Sequence, residues 1–379
     1  MHFQSSLPVQ VPFNDLYAQY LSIREEIDEA IATVIRESAF IRGRFVEQFE
    51  AEFAQAVGAR HCISCANGTD ALYIAIKGLG LQPGEEVITT AHTWIATSET
   101  ITQAGGRVVF CDTEPDLFTL DPNQIESKIS DRTRGIIVVH LYGQPADMDA
   151  ILAIARKHNL WVIEDCAQAH LATYKGKQVG TLGDIGTLSF YPGKNLGAMG
   201  DAGAIVTNSD RLAEWMALFA RHGGKGTHRI EGINSRMDGL QAAILSVKLP
   251  HLPRWNQARR QVAQWYNELL SEVLEVTTPQ VRPDVEHVYH LYVLQLDNRD
   301  RILAHLKDSG ISAGIHYPIP LHEQPAYNYL RLTPDSLPVI HHAAHRILSL
   351  PIYPEVSQEQ VFHVVETLKA FLKKNPHNT

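Results

Sequence analysis

The residues best suited to chemistry lie in one stretch, Ser189-Phe-Tyr-Pro-Gly-Lys194-Asn-Leu. The hydrophobic run 185–190 reads as a strand, and Tyr191, Pro192 and Gly193 stop it and turn the backbone. Lys194 is thereby set just past a strand end, in a turn between Gly193 and Gly197. A lysine in a low-dielectric site is unprotonated and nucleophilic near neutral pH, whereas in a solvated turn it is an ordinary surface ammonium. Which of the two holds depends on what the rest of the chain brings to that turn.

Four other stretches supply complementary groups. Glu164-Asp165-Cys166-Ala167-Gln168 follows an apolar run, so Asp165 stands at a strand end with Gln168 three residues on. Asn67-Gly68-Thr69-Asp70 separates a strand from a helix, and a helix N-terminus offers free N–H groups and partial positive charge to a phosphate. Gly68 lets the backbone approach an anion, Thr69 adds a hydroxyl, and Ser189 adds another, five residues before the lysine. Trp94 begins a helix after another strand and presents a ring for stacking. Asn234-Ser235-Arg236-Met237-Asp238 precedes a helix with an amide, a hydroxyl and a guanidinium for anion contacts. Each is weak alone, since a helix cap, a polar strand end and a packed tryptophan are commonplace. Together they are what pyridoxal 5'-phosphate needs: an amine, a carboxylate to keep its ring nitrogen protonated, a donor to its 3′ oxygen, an aromatic face and an anion cradle.

The elements that must position these groups follow an α/β rhythm. An amphipathic helix over 14–37 and a second over 45–57 precede a short strand at 61–65 and a helix at 71–79. Strands at 86–89, 107–111, 135–141 and 160–164 then alternate with helices at 93–103, from Pro122, and at 147–158. This predicts a mostly parallel central sheet flanked by helices, with ligands outside the carboxyl ends of its strands. Strands at 185–190 and 204–207 follow, then helices at 211–221 and 238–248, the latter stopped near Pro250. Residues 1–250 are expected to form a cofactor-binding large domain. Residues 251–379, with a helix at 255–270, strands at 290–296 and 312–316 and terminal helices, are expected to form a smaller α+β domain.

Composition narrows the function. The 379 residues are 45% hydrophobic and 20% charged, as in ordinary globular proteins. A formal net charge of -9 argues against nucleic-acid binding, which needs clustered Lys and Arg. There is no apolar run long enough to span a bilayer and no signal-peptide core, so a cytoplasmic protein without a membrane partner is expected. Cys62 and Cys65 form a C-x-x-C, but no second pair stands at metal-binding spacing. They read as small hydrophobes in and at the end of a strand, and no metal is expected.

At this point the chain resembles the DegT-type sugar aminotransferases, within the fold-type I enzymes that use pyridoxal phosphate. The motifs Asn67-Gly-Thr-Asp-Ala-Leu, Thr93-Trp-Ile-Ala-Thr, Glu164-Asp-Cys-Ala-Gln, Ser189-Phe-Tyr-Pro-Gly-Lys-Asn, Asn234-Ser-Arg-Met-Asp and His316-Tyr-Pro-Ile-Pro-Leu-His322 occur in the family's order. The resemblance implies a Schiff base at Lys194, a ring-nitrogen contact at Asp165, stacking by Trp94 and phosphate contacts by Gly68, Thr69 and Ser189. It also implies a homodimer in which Asn234 reaches the neighbouring subunit's phosphate. Members that dehydrate sugars carry histidine in place of Lys194, so amino transfer is expected. The implied substrates are L-glutamate and a nucleoside-diphosphate keto sugar, with the stretch 193–203 leaning to C3 of a dTDP-linked 6-deoxy sugar over C4. His316, Tyr317, Tyr191 and Arg236 are the expected substrate contacts. The alternatives are a keto-cyclitol substrate and a non-catalytic regulator or scaffold.

Overall fold

The computed structural model describes residues 10–374. Its central sheet has seven strands in the order His61–Cys65, Gly203–Thr207, Ile185–Ser189, Trp161–Asp165, Thr133–Val139, Glu86–Thr90, Arg107–Cys111. The five strands from Ile185–Ser189 to Arg107–Cys111 pair in parallel, and Gly203–Thr207 runs antiparallel to both its neighbours. The sheet is therefore mixed, with one reversed strand, and otherwise parallel as the alternation of elements predicts.

Successive side chains of a strand point to opposite faces, and both faces here are covered. Ile136 and Val138 join one core with Phe49 and Phe53 of the helix Arg44–Val57, Met148 and Ile151 of Met148–His158, and Leu245 of Gly239–Lys248. Ile137 and Val139 join the opposite core with Leu72 and Ile76 of Gly68–Gly78 and Ile101 of Ala96–Gln103. Cys65, Asp165 and Ser189 end strands at one edge of this sheet.

A three-stranded antiparallel sheet, Val276–Thr277, Tyr292–Leu296 and Ile347–Leu350, has its own core. The helices Leu252–Leu270, Arg299–Asp308 and Gln358–Lys374 supply that core. Tyr266 and Tyr292 stack there with ring centroids 4.8 Å apart. Val11, from the opposite end of the chain, bridges Ile311 and is buried in the same core.

Three expectations are corrected. The helix expected over 14–37 is two, Leu16–Ser22 and Arg24–Arg36, because Ile23 leaves helical geometry (φ -138°, ψ 27°) while its side chain keeps the apolar spacing. The helix expected from Thr93 starts at Ala96, which leaves Trp94 in the loop before it. No strand forms over 312–316. Ile347–Leu350 already pairs with Tyr292–Leu296, and on its other side only Gly314 bridges Ser349. The Cys62/Cys65 pair reads as expected: both are free thiols in the strand His61–Cys65, opposite Val206 and Gly203.

Candidate active site

A cavity of about 610 Å³ opens at the carboxyl edge of the sheet, and Lys194 lines it with Asp165, Gly68, Thr69, Trp94 and Ser189. The lysine turn is held from both sides. Lys194 N donates to Tyr191 O at 2.8 Å, and Nζ of the buried Lys248 donates to Gly197 O at 2.8 Å. Burial lowers the Lys194 amine to about 8, against the opposing pull of the Asp165 charge. A substantial fraction is therefore neutral near physiological pH.

Asp165 is 5% exposed, and its two oxygens are committed separately. Oδ1 accepts from Ala167 N at 3.1 Å, and Oδ2 accepts from Thr97 Oγ1 at 2.9 Å. Thr97 Oγ1 lies a further 2.9 Å from Thr93 Oγ1. Burial raises the carboxyl, while Ala167, Thr97 and Lys194 each favour its charged form. Such a group gains from a positive partner in the cavity, as a protonated ring nitrogen would be.

The anion cradle is built by close approach. Asn67 caps the helix Gly68–Gly78, its Oδ1 accepting from Asp70 N at 2.8 Å. Among the described residues the N–H groups of Gly68 and Thr69 have no acceptor. A Cβ at Gly68 would stand 2.6 Å from Cβ of Ser189, so only glycine lets the helix start meet the strand end.

The other expected residues fall around this centre. Trp94 and Tyr191 line the cavity with 60% and 59% of their surface exposed, so a ring face is free at each. Gln168 accepts from Tyr142 N at 2.6 Å and donates to the Tyr317 hydroxyl at 3.2 Å. Tyr317 also lies 5.7 Å from Trp94 between ring centroids, which puts it beside the residues expected to hold the cofactor. His316 stacks on Phe13 and pairs its Nδ1 with Ser349 Oγ at 2.9 Å. Burial and then the Lys194 charge lower it to about 4, so it is neutral near pH 7. Asn234 and Arg236 lie outside this cavity, Asn234 exposed and Arg236 half-buried. Ser235 between them is buried, donates to Asp70 Oδ2 at 2.6 Å and accepts from Ala66 N at 3.1 Å. The segment is thus fastened to the anion cradle of its own chain.

Several lining residues carry no sequence signal of their own. Phe13, Asn14, Arg259, His290 and Ile352 reach the cavity from both ends of the chain. Thr97 lay within the Thr93-Trp-Ile-Ala-Thr97 motif, but only the start of the helix at Ala96 shows that its hydroxyl faces Asp165.

His140, Glu164 and Cys166 bring three metal-ligand atoms within 4.8 Å of one another. Their hydrogen bonds give them another role. Ala146 N donates to His140 Nδ1 at 3.1 Å, so Nε2 carries the proton and donates to Glu164 at 3.0 Å. Glu164 also accepts from Gly180, Leu182 and Gly183 N–H at 2.7–2.8 Å. The carboxylate clasps the turn 180–183 to the strand that carries Asp165.

The residues fit pyridoxal phosphate: unpaired helix N–H groups for its phosphate, a carboxylate for its ring nitrogen, a free indole face and a depressed amine, all on one cavity. The comparisons with known proteins agree. The DegT/DnrJ/EryC1/StrS aminotransferase family matches residues 21–369. The chain belongs to this family. It is 47% identical over 369 residues, 96% of this chain and 99% of the relative, to a protein of Geobacillus stearothermophilus named a pleiotropic regulatory protein. It is 43% identical over 363 residues, 95% and 99% of the two chains, to the dTDP-3-amino-3,6-dideoxy-alpha-D-galactopyranose transaminase of Aneurinibacillus thermoaerophilus. Its fold superposes with a TM-score of 0.94 on S. venezuelae DesV, solved with a ketimine intermediate, at 40% identity over 96% of this chain and 99% of that one. This DegT-family chain is a pyridoxal-phosphate-dependent aminotransferase. No helix among the described residues is long and apolar enough to cross a membrane.

Proposed function

We propose that the enzyme moves an amino group from L-glutamate to a keto carbon of a nucleoside-diphosphate-linked 6-deoxy sugar, with dTDP the nucleotide and C3 favoured over C4. The observation that carries this is Lys194, its amine lowered to about 8 in a cavity it shares with Asp165 and the anion cradle. The Aneurinibacillus relative, named for a dTDP-linked 3-amino sugar, supports the nucleotide and the carbon.

Bound pyridoxal phosphate supplies an electron sink for the carbon that bears the amine. Lys194 anchors it and afterwards, as a neutral amine, takes and returns the proton at the donor's α carbon. Asp165 holds the proton on the ring nitrogen, and Thr97 holds Asp165. The first N–H groups of Gly68–Gly78, with Ser189, hold the phosphate. Trp94 covers a ring face, and Gln168 has one amide hydrogen left for the 3′ oxygen, since Tyr317 takes the other. Tyr191, His316 and Tyr317 contact the sugar side within their own chain's cavity, and Arg236, which lies outside it, reaches the sugar of the neighbouring subunit. The working unit in this reading is a cytoplasmic homodimer in which Asn234 completes the neighbouring subunit's anion cradle. Residues 1–250 bind the cofactor, and 251–379 form the smaller domain that walls the cavity through His290, His316 and Ile352.

A coupled assay with L-glutamate and a panel of 3-keto and 4-keto sugar nucleotides tests the substrate. Turnover confined to 3-keto dTDP sugars is the expected result, and turnover of a free keto-cyclitol without affinity for nucleoside diphosphates would replace it. A purely regulatory role, suggested by the name of the Geobacillus relative, gives no reason for a depressed lysine beside a buried carboxylate.

A further inference from the structure

Tyr142 is buried outside the cavity wall, yet each of its polar groups holds a residue that lines it. Its N–H donates to Gln168 Oε1 at 2.6 Å. Its carbonyl accepts from Leu291 N at 3.3 Å. Its hydroxyl donates to the His316 carbonyl. Gln168, Leu291 and His316 all face the cavity. The backbone bends to reach them. Tyr142 sits at φ 60° and ψ 2°, a left-handed geometry that a bulky residue keeps only where its surroundings hold it.

The partners also fix the direction of each bond. A carbonyl only accepts, so the one hydroxyl hydrogen of Tyr142 goes to His316. The Tyr142 oxygen must then accept from His92 Nε2, 2.5 Å away. Burial first, and then the His316 charge, lowers His92 to about 3. His92 is therefore neutral near pH 7, with its single proton on Nε2. Burial pushes the Tyr142 phenol well above its ordinary range, so the hydroxyl keeps its proton and stays a donor. A backbone N–H likewise only donates. Gln168 must turn its oxygen to Tyr142, which leaves its amide hydrogens for the Tyr317 hydroxyl and the cavity.

We propose that Tyr142 is a positioning residue for the sugar half of the reaction: its hydroxyl, aimed by His92, pins the His316 carbonyl and so sets His316 and Tyr317 for the keto sugar. Its backbone N–H sets Gln168 for the cofactor. The purpose rests on the reading that His316 and Tyr317 contact the sugar. The tie does not rest on it, because every bond in it runs between residues of the chain itself.

Tyr142→Phe removes the hydroxyl and keeps the ring and both backbone bonds. Hydrogen exchange is first compared in the full native and variant chains without cofactor. Leu321 N donates to Ala91 O at 3.0 Å, so its exchange reports the hold on the segment after His316. Exchange at Leu321 should quicken about fivefold while the strand Thr133–Val139 stays unchanged. No change at Leu321, or an equal rise in both places, overturns the tie. His92→Leu should match Tyr142→Phe, and His92→Gln, which keeps an N–H donor, should stay within about twofold of the native chain. Equal exchange in the two His92 variants overturns the part given to His92. In the loaded enzyme Tyr142→Phe should slow the half-reaction with the keto sugar about tenfold and leave that with L-glutamate within about twofold. Added to a chain that already carries His316→Ala and Tyr317→Phe, it should cost less than about twofold more. Equal loss in both half-reactions, or full additivity, overturns the role. Failure of the substrate reading looks different: no keto sugar is aminated, while exchange at Leu321 still responds to Tyr142→Phe.

Discussion

Gly68 and Ser189 meet so closely that a single methyl group on the glycine would overlap the serine's Cβ at 2.6 Å and crowd its Cα at 3.1 Å. The strand end and the helix start that would share a phosphate are in backbone contact. Gly68→Ala should force them apart at a cost of about 1–3 kcal/mol in stability. Cofactor affinity should fall tenfold or more, read by titrating the apo protein and following absorbance. Wild-type affinity would mean that the phosphate sits elsewhere.

Lys194 should set the pH dependence of cofactor attachment. Its amine titrates about 8 because burial opposes the charged form. The rate of covalent attachment should rise with pH through about 8 and level off above it. Asp165 favours the ammonium, so Asp165→Asn should shift this rise to lower pH. Borohydride should fix the cofactor on Lys194, and Lys194→Ala should lose turnover while still binding the aminated cofactor.

Asp165→Asn keeps the shape of the carboxylate and removes the charge expected on the ring nitrogen. Turnover should fall at least a hundredfold with cofactor still bound. Thr97→Val removes the hydroxyl 2.9 Å from Asp165 Oδ2 and should cost a smaller factor, about tenfold. Near-normal rates in Asp165→Asn would show that another group protonates the ring.

Asn234 lies outside the cavity of its own chain, so its expected contact requires a second copy. Lys194→Ala and Asn234→Ala chains, each of low activity alone, should regain activity when mixed, because one hybrid site is intact. No recovery under verified subunit exchange would place Asn234 in a role within its own chain.

His316 and Tyr317 separate the two half-reactions. His316→Ala should chiefly slow the half-reaction with the keto sugar and leave that with glutamate within about threefold, read by stopped-flow absorbance. Tyr317→Phe removes the acceptor of Gln168 and should in addition shift the cofactor's absorbance. Equal loss in both half-reactions for His316→Ala would show that its link to Ser349 matters only for structure.

The sheet was legible because apolar runs such as 135–141 and the turn residues after each strand are local signals. The same holds for Asp165 at a strand end, Gly68 at a helix start, and Lys194 and Trp94 in the turns that follow strands. What escaped was the pairing of distant segments. Asn195 and His290 meet across 95 residues, and nothing near either predicts the other. Apolar spacing ran through Ile23, so the break in the N-terminal helix was invisible: a buried side chain does not report its backbone angles. The run 312–316 looked like a strand, but the edge it would need is met only at Gly314.

The cavity wall begins with Phe13 and is finished by Ile352, and His316 is held by Ser349. The anion cradle, Asp165 and Lys194 are thus all made before the segment that encloses them, and the cavity closes only once His316 and Ile352 are in place. A product cut short before His290 would carry Lys194 without the wall whose burial lowers its amine, a lysine like any other rather than a slower catalyst.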